Sequence, residues 1–184
     1  MTSSTTLPSM NRRSLFCALG AFVLASCNNV DNFEIPIDAE AKIPAATILD
    51  ELIGPLAFWG LDTIDLTQEL DNQGVTKDDV DSVHVKSFSL TIKAPAGQTF
   101  DFIESISFSV ETEGQPKAIV AKLDPVPKGQ TTIELVTEAT LDLAPYVIAP
   151  RMSMTASVKG KRPLQETTVI ADVVFDVDVN VAGC

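Results

Sequence analysis

Few side chains in this 184-residue chain are equipped for chemistry, and their types bound what that chemistry could be. His84 is the only histidine. That excludes paired imidazoles and histidine-rich metal sites. A Ser-His-Asp arrangement would have to use His84, and no nucleophile-elbow sequence surrounds it. The nine glycines are scattered, with no glycine-rich phosphate loop. Carboxylates are plentiful, with 25 Asp and Glu. Glycoside hydrolysis needs two that face each other, one with a raised pKa, and nothing in the sequence marks such a pair. Asp176, Asp178 and Asn180 share one strand face, and Asp71, Asp78, Asp79 and Asp81 crowd one loop. Both groups offer oxygen ligands of the kind calcium takes. The loop departs from the EF-hand pattern at Asn72-Gln73-Gly74. Alternate side chains on a strand stand about 7 Å apart, so an ion would also need ligands from loops. A solvated acidic surface is the plainer reading. No catalytic residue, metal ligand or cofactor is assigned.

The cysteines are Cys17, Cys27 and Cys184. Cys27 stands at the end of Leu24-Ala25-Ser26-Cys27, after an apolar run over residues 15–25 that follows Arg12-Arg13. Polar Asn28-Asn29-Val30-Asp31-Asn32 comes next. Spanning a bilayer takes roughly 20 apolar residues; this shorter run suits the h-region of a secretory signal. Met10 opens a compact signal and reads as a second candidate start. The order of a basic pair, a short apolar stretch, small residues and cysteine resembles a bacterial lipoprotein signal with its lipobox. That resemblance implies cleavage between Ser26 and Cys27, with a diacylglycerol thioether and an N-acyl chain on Cys27. At about 0.8 kcal/mol per buried methylene, several acyl chains anchor durably where one would be marginal. In that family Asp after the cysteine favours the inner membrane; Asn28 therefore implies the outer one. Residues 11–16 also partly resemble a twin-arginine signal, with Asn11 where Ser or Thr is usual. The general secretion route is the default.

Removing residues 1–26 takes Arg12, Arg13 and Cys17. Eleven basic residues then face 25 acidic ones, a formal charge of −14. Such a surface repels nucleic acid, so no nucleic-acid partner is expected. With Cys27 acylated, Cys184 lacks an intrachain partner, and the fold is not disulfide-stapled.

The rest of the chain must supply one domain. Phe33, Ile35, Ile37, Ala39, Ala41 and Ile43 alternate with Glu34, Asp38, Glu40 and Lys42, the period of a half-buried strand. Pro36 places it at a sheet edge. Residues 47–53 read as a short helix stopped by Gly54-Pro55. Leu56 to Leu61 carries the only tryptophan, Trp59; core packing is the favoured reading, and a patch that packs on a partner or the membrane surface is the alternative. Asp71-Asn72-Gln73-Gly74 reads as a turn and Thr76-Lys77-Asp78-Asp79 as a helix start, with Thr76 as its cap and Asp79 three residues on. From residue 83 the pattern is strand after strand. Val83 and Val85 lie on the opposite parity to Phe88, Leu90 and Ile92, which predicts a bulge near Lys86. Further strands follow around Ile106–Val110, Ala118–Leu123, Thr132–Thr137 and Met152–Val158, with a helical turn or an irregular crossing over residues 142–146. The final strand, over Val169 to Val181, reads as the longest.

This is the pattern of an all-β chain: a single antiparallel β-sandwich of about seven or eight strands, immunoglobulin-like, with one or two short helical turns. One Trp and one Tyr give no aromatic girdles for an outer-membrane barrel. The expected organisation is a signal over 1–26, a lipidated tether over 27–32 and a sandwich over 33–184. Residues 60–182 faintly resemble sandwich domains of bacterial surface lipoproteins through Ser87–Ile92, Phe100–Ile106 and Leu141–Tyr146. That resemblance implies a fold and no activity. The expected role is a membrane-anchored, non-enzymatic envelope module that binds a protein or glycan or has a structural part. The alternatives are a carrier of lipid or another hydrophobic ligand, with Phe58, Trp59, Met152 and Met154 lining a cavity, and a hydrolase. No pattern specifies an oligomeric state.

Overall fold

The computed structural model describes residues 32–47 and 51–180. They form β1 (Asn32–Ile43), β2 (Glu51–Leu56), α1 (Thr67–Asn72), β3 (Val80–Ala94), β4 (Ile103–Glu111), β5 (Ala118–Leu123), β6 (Thr132–Glu134), β7 (Val136–Thr137), α2 (Ala144–Val147), β8 (Ser153–Lys161) and β9 (Thr167–Val179). A four-stranded sheet runs β1-β9-β3-β6 and a five-stranded sheet runs β2-β8-β4-β5-β7. Every pairing is antiparallel. The fold is therefore an all-β sandwich. The count exceeds the expected seven or eight because two strands are fragments of two and three residues.

The alternation decides which faces meet. Ile35, Ala39 and Ala41 of β1, Val83, Phe88 and Leu90 of β3, and Val169 to Val177 at odd positions of β9 are all buried. They face Ile106, Phe108 and Val110 of β4 and Met154, Ala156 and Val158 of β8. Phe108 holds the centre. Its ring lies 4.2 Å from that of Phe88 in the opposite sheet and 5.3 Å from that of Phe58. In β3 the pairing against β9 slips between Val85 and Ser87, so the bulge falls at Lys86 as its parity change predicts. The extra residue lets Val85 and Phe88 both point inward.

β1 is an edge strand, and Pro36 sits where an edge tolerates it. The N–H and C=O of Glu40 point away from β9 and pair with Trp59 at 3.1 and 2.8 Å. Pro36 has the same parity, so the N–H it lacks would have had no ladder partner. Gly60 follows closely, with φ +104 and a virtual Cβ only 3.0 Å from the carbonyl oxygen of Asp38. The loop thus seals part of the β1 edge against further pairing.

Four expectations are corrected. The helix read over 47–53 is absent where described: residues 51–56 form β2, paired with β8 from Glu51–Lys161 to Leu56–Ala156. Gly54 there has φ +122, which no helix accommodates. Residues 48–50 lie outside the described residues. Trp59 is not in the core but 81% exposed, because the Glu40 bridge turns its side chain outward while Phe58 points in. The strand read over 132–137 divides between the sheets: buried Leu135 donates its N–H to Phe88, after which Val136 and Thr137 pair with β5. Finally, β3, with 15 residues, is longer than β9, with 13.

Candidate functional site

The acidic residues were the richest source of possible chemistry, and several aspartates prove to be hydrogen-bond acceptors for the backbone. Asp79 accepts from the Thr76 amide at 2.9 Å and the Thr76 hydroxyl at 2.6 Å, completing the expected capping box. The hydroxyl and then the amide of Thr76 hold its carboxyl below the usual range. Asp142 accepts from the amides of Val83, at 3.0 Å, and Ala144, at 2.9 Å, which fixes the start of α2 against β3. Asp101 accepts from Gly129 at 2.6 Å, and that amide is the main cause of its lowered pKa. Asp178 accepts from Ser82 at 2.9 Å. Among the described residues no three or more His, Cys, Asp or Glu side chains are grouped to hold a metal ion. The two acidic sets considered for calcium adjoin where the start of β3 meets the end of β9, without forming such a group.

Glu34 faces Asp176 across the β1–β9 ladder, with Lys86 paired to Glu34, and a second pair of carboxyls is hydrogen-bonded together. Asp38 of β1 is directly opposite Asp172 of β9, Ser89 of β3 follows, and Glu134 of β6 ends the row. Asp172 is half-buried, and its pKa is raised, first by burial, then by its hydrogen bond to Asp38 and by the Asp38 charge. The sequence held a clue: both residues occupy the polar parity of their strands. The register that juxtaposes them depends on pairing between the first and last strands, which local sequence does not encode. An open cleft of about 300 Å³ beside Asp172 includes Glu134, Lys86 and Thr137.

The pair makes stability depend on pH in a defined direction. A raised carboxyl pKa means that the folded protein binds this proton more tightly than the unfolded chain does. The advantage is present in acid and lost as pH rises through the folded pKa. At neutral pH two like charges then face each other across the ladder, an arrangement that costs about 0.2–1 kcal/mol. Asp172→Asn should therefore stabilise the protein by about that amount at pH 7 and by much less at pH 3. Urea unfolding at both pH values measures this, and an equal effect at both would contradict it.

His84 Nδ1 donates to the carbonyl of Leu141 at 3.0 Å. Asp176 lies opposite it in the ladder. Lys86 pairs with Glu34, and its pKa is raised, first by that hydrogen bond.

No protein-family model matches this chain, and no curated protein matches it. Among solved structures, a chain in the acidic stable capsid structure of Helicobacter pylori bacteriophage KHP30 is similar. It is 12% identical, with a TM-score of 0.34, over 79% of this chain and 92% of that one. A likeness this distant lends nothing to a functional assignment.

The residues expected to anchor the chain, Ser26 and Cys27, lie outside the described residues, as do Cys17 and Cys184. The described body begins at Asn32, opposite Asp178, and Asn180 donates to the carbonyl of Asp79. The first and last described residues thus share one end of the sandwich. Of the four residues expected to line a carrier cavity, Phe58, Met152 and Met154 are buried in the core, while Trp59 projects to solvent. Phe58 and Met154 also border an open cleft of about 350 Å³ with Pro55 and Leu56. No helix among the described residues is long and apolar enough to cross a membrane.

Proposed function

We propose that this protein is a lipid-anchored envelope lipoprotein whose β-sandwich is a non-enzymatic binding or structural module. The observation that carries the reading is the order Arg12-Arg13, apolar residues 15–25, then Leu24-Ala25-Ser26-Cys27. Acylated Cys27 would tether the sandwich by the end where β1 begins, with few residues between lipid and fold. Asn28 favours the outer membrane. In support of a module without chemistry of its own, Asp79, Asp101 and Asp142 are engaged in holding loops and turns. The Asp38–Asp172 pair supplies the hydrolase alternative with one raised carboxyl. It stands on an open sheet face, where water surrounds whatever binds. The hydrophobic-carrier alternative retains the cleft beside Phe58 and Met154.

Cys27→Ser is the decisive variant. The parent chain should incorporate a fatty-acid analogue and fractionate with membranes, and the variant should take up no label and leave the membrane fraction. Equal membrane association of the two proteins would overturn the assignment.

A further inference from the structure

The outward face of the five-stranded sheet differs in kind from the acidic face of its partner. Pro55, Ser157, Ser107, Lys122 and Val136 stand directly opposite one another across β2, β8, β4, β5 and β7. Ser105 and Lys159 form the next row. Ser105, Ser107, Ser157, Lys122, Lys159 and Asp124 border an open cleft of about 370 Å³, within the range of small-molecule sites. On the other sheet, side chains such as Asp178, Glu34 and Glu40 are engaged by Ser82, Lys86 and Lys93. Here the three serine hydroxyls, the Lys122 ammonium and the Asp124 carboxylate have no side-chain partner among the described residues. Their hydrogen-bonding capacity is left to solvent or a ligand.

The charge balance selects the ligand. Lys159 is paired with Glu104 at 3.5 Å, and Lys122 shares the cleft with Asp124. Two cations and two carboxylates cancel, so neither an anion nor a cation is favoured. An apolar ligand would strand the hydroxyls. A neutral sugar fits both conditions, because each of its hydroxyls donates and accepts as serine does. Ser157, Ser107 and Lys122 are spaced by the strand separation of about 4.8 Å, which lets one saccharide segment meet all three. Pro55 and exposed Val136, at the ends of the row, offer apolar contact to the C–H faces of sugar rings.

We infer that this face binds a neutral saccharide segment lying across β8, β4 and β5. The inference rests on reading the sandwich as a binding module and gives that module a ligand class. The test uses the full chain purified in detergent and titrated separately with cellotetraose, maltotetraose and chitotetraose. At least one should bind and shift amide resonances of β4, β5 and β8. Ser107→Val combined with Lys122→Met should weaken that binding about tenfold or more. Ser89→Ala, on the opposite sheet, should leave it unchanged. If the double variant does not fold, Ser157→Ala and Asp124→Asn are read in its place, with weakened binding expected from each. Failure of all three sugars to bind, or parent-level affinity in the folded cleft variants, overturns the inference. Acylation of Cys27 is read by mass on the same preparation. A chain that is acylated but binds no sugar refutes only the saccharide site, and one that binds sugar without lipid refutes only the anchor.

Discussion

Replacing Phe108 by alanine is expected to cost about 3–5 kcal/mol of stability. Phe108 is fully buried, and its ring joins the two sheets through Phe88 and closes on Phe58. Its cross-strand neighbours explain why the cost should sit high in that range. Ala121 of β5 and Ala156 of β8 are the residues directly opposite it. Neither has a side chain that could swing into the vacated space, so the cavity would persist. Domains of this size have total stabilities of about 5–15 kcal/mol, and the loss would be a large share of it. Urea denaturation monitored by circular dichroism measures the difference. A loss below about 1 kcal/mol would mean that the sheets can close over the gap.

Gly160→Ala is expected to be nearly as damaging for the opposite reason. A Cβ on Gly160 would stand 2.2 Å from the carbonyl oxygen of Phe102 and 2.9 Å from the Cα of Ile103. Both are backbone atoms of the chain entering β4, and neither can rotate away. The usual cost of overpacking is roughly 1–3 kcal/mol, and a clash with fixed backbone belongs at or above its upper end. For a chain of this length a loss of about 3 kcal/mol lowers the melting temperature by about 6–12 °C. An unchanged melting temperature would show that β8 and β4 do not approach so closely there. Gly54→Ala makes a contrast. Nothing lies within 4 Å of its virtual Cβ, but φ +122 is strained for any residue with a side chain.

Local pattern foretold much of this architecture. The parity of Phe33 to Ile43, the edge position of Pro36, the slip at Lys86 and the Thr76–Asp79 cap all depend on residues within a few positions of one another, and each is in place. The failures share a cause. Residues 51–56 are a strand because β8 offers partners a hundred or more positions away. Trp59 is outside because its backbone is held by Glu40 across the β1 edge. The break at Leu135 follows from the separation of two sheets, which alternation within one segment cannot express. The carboxyl pair and the serine cleft were hidden for the same reason: Asp38 meets Asp172, and Ser107 meets Ser157 and Lys122, only through register. The proposed anchor is a reading of another kind, drawn wholly from linear sequence leading to Cys27 and outside the described residues.

The central place of β9 has a consequence for how the polypeptide acquires its shape. This strand, close to the C-terminal end, separates β1 from β3 and pairs with both. A growing chain that has not yet delivered residues 167–179 therefore holds two long, sticky ribbons with no common neighbour to join them. Non-local pairing of this kind is slow because distant segments must find each other. The body should thus remain open until β9 is available, and lock only when that ribbon slides between the two it joins.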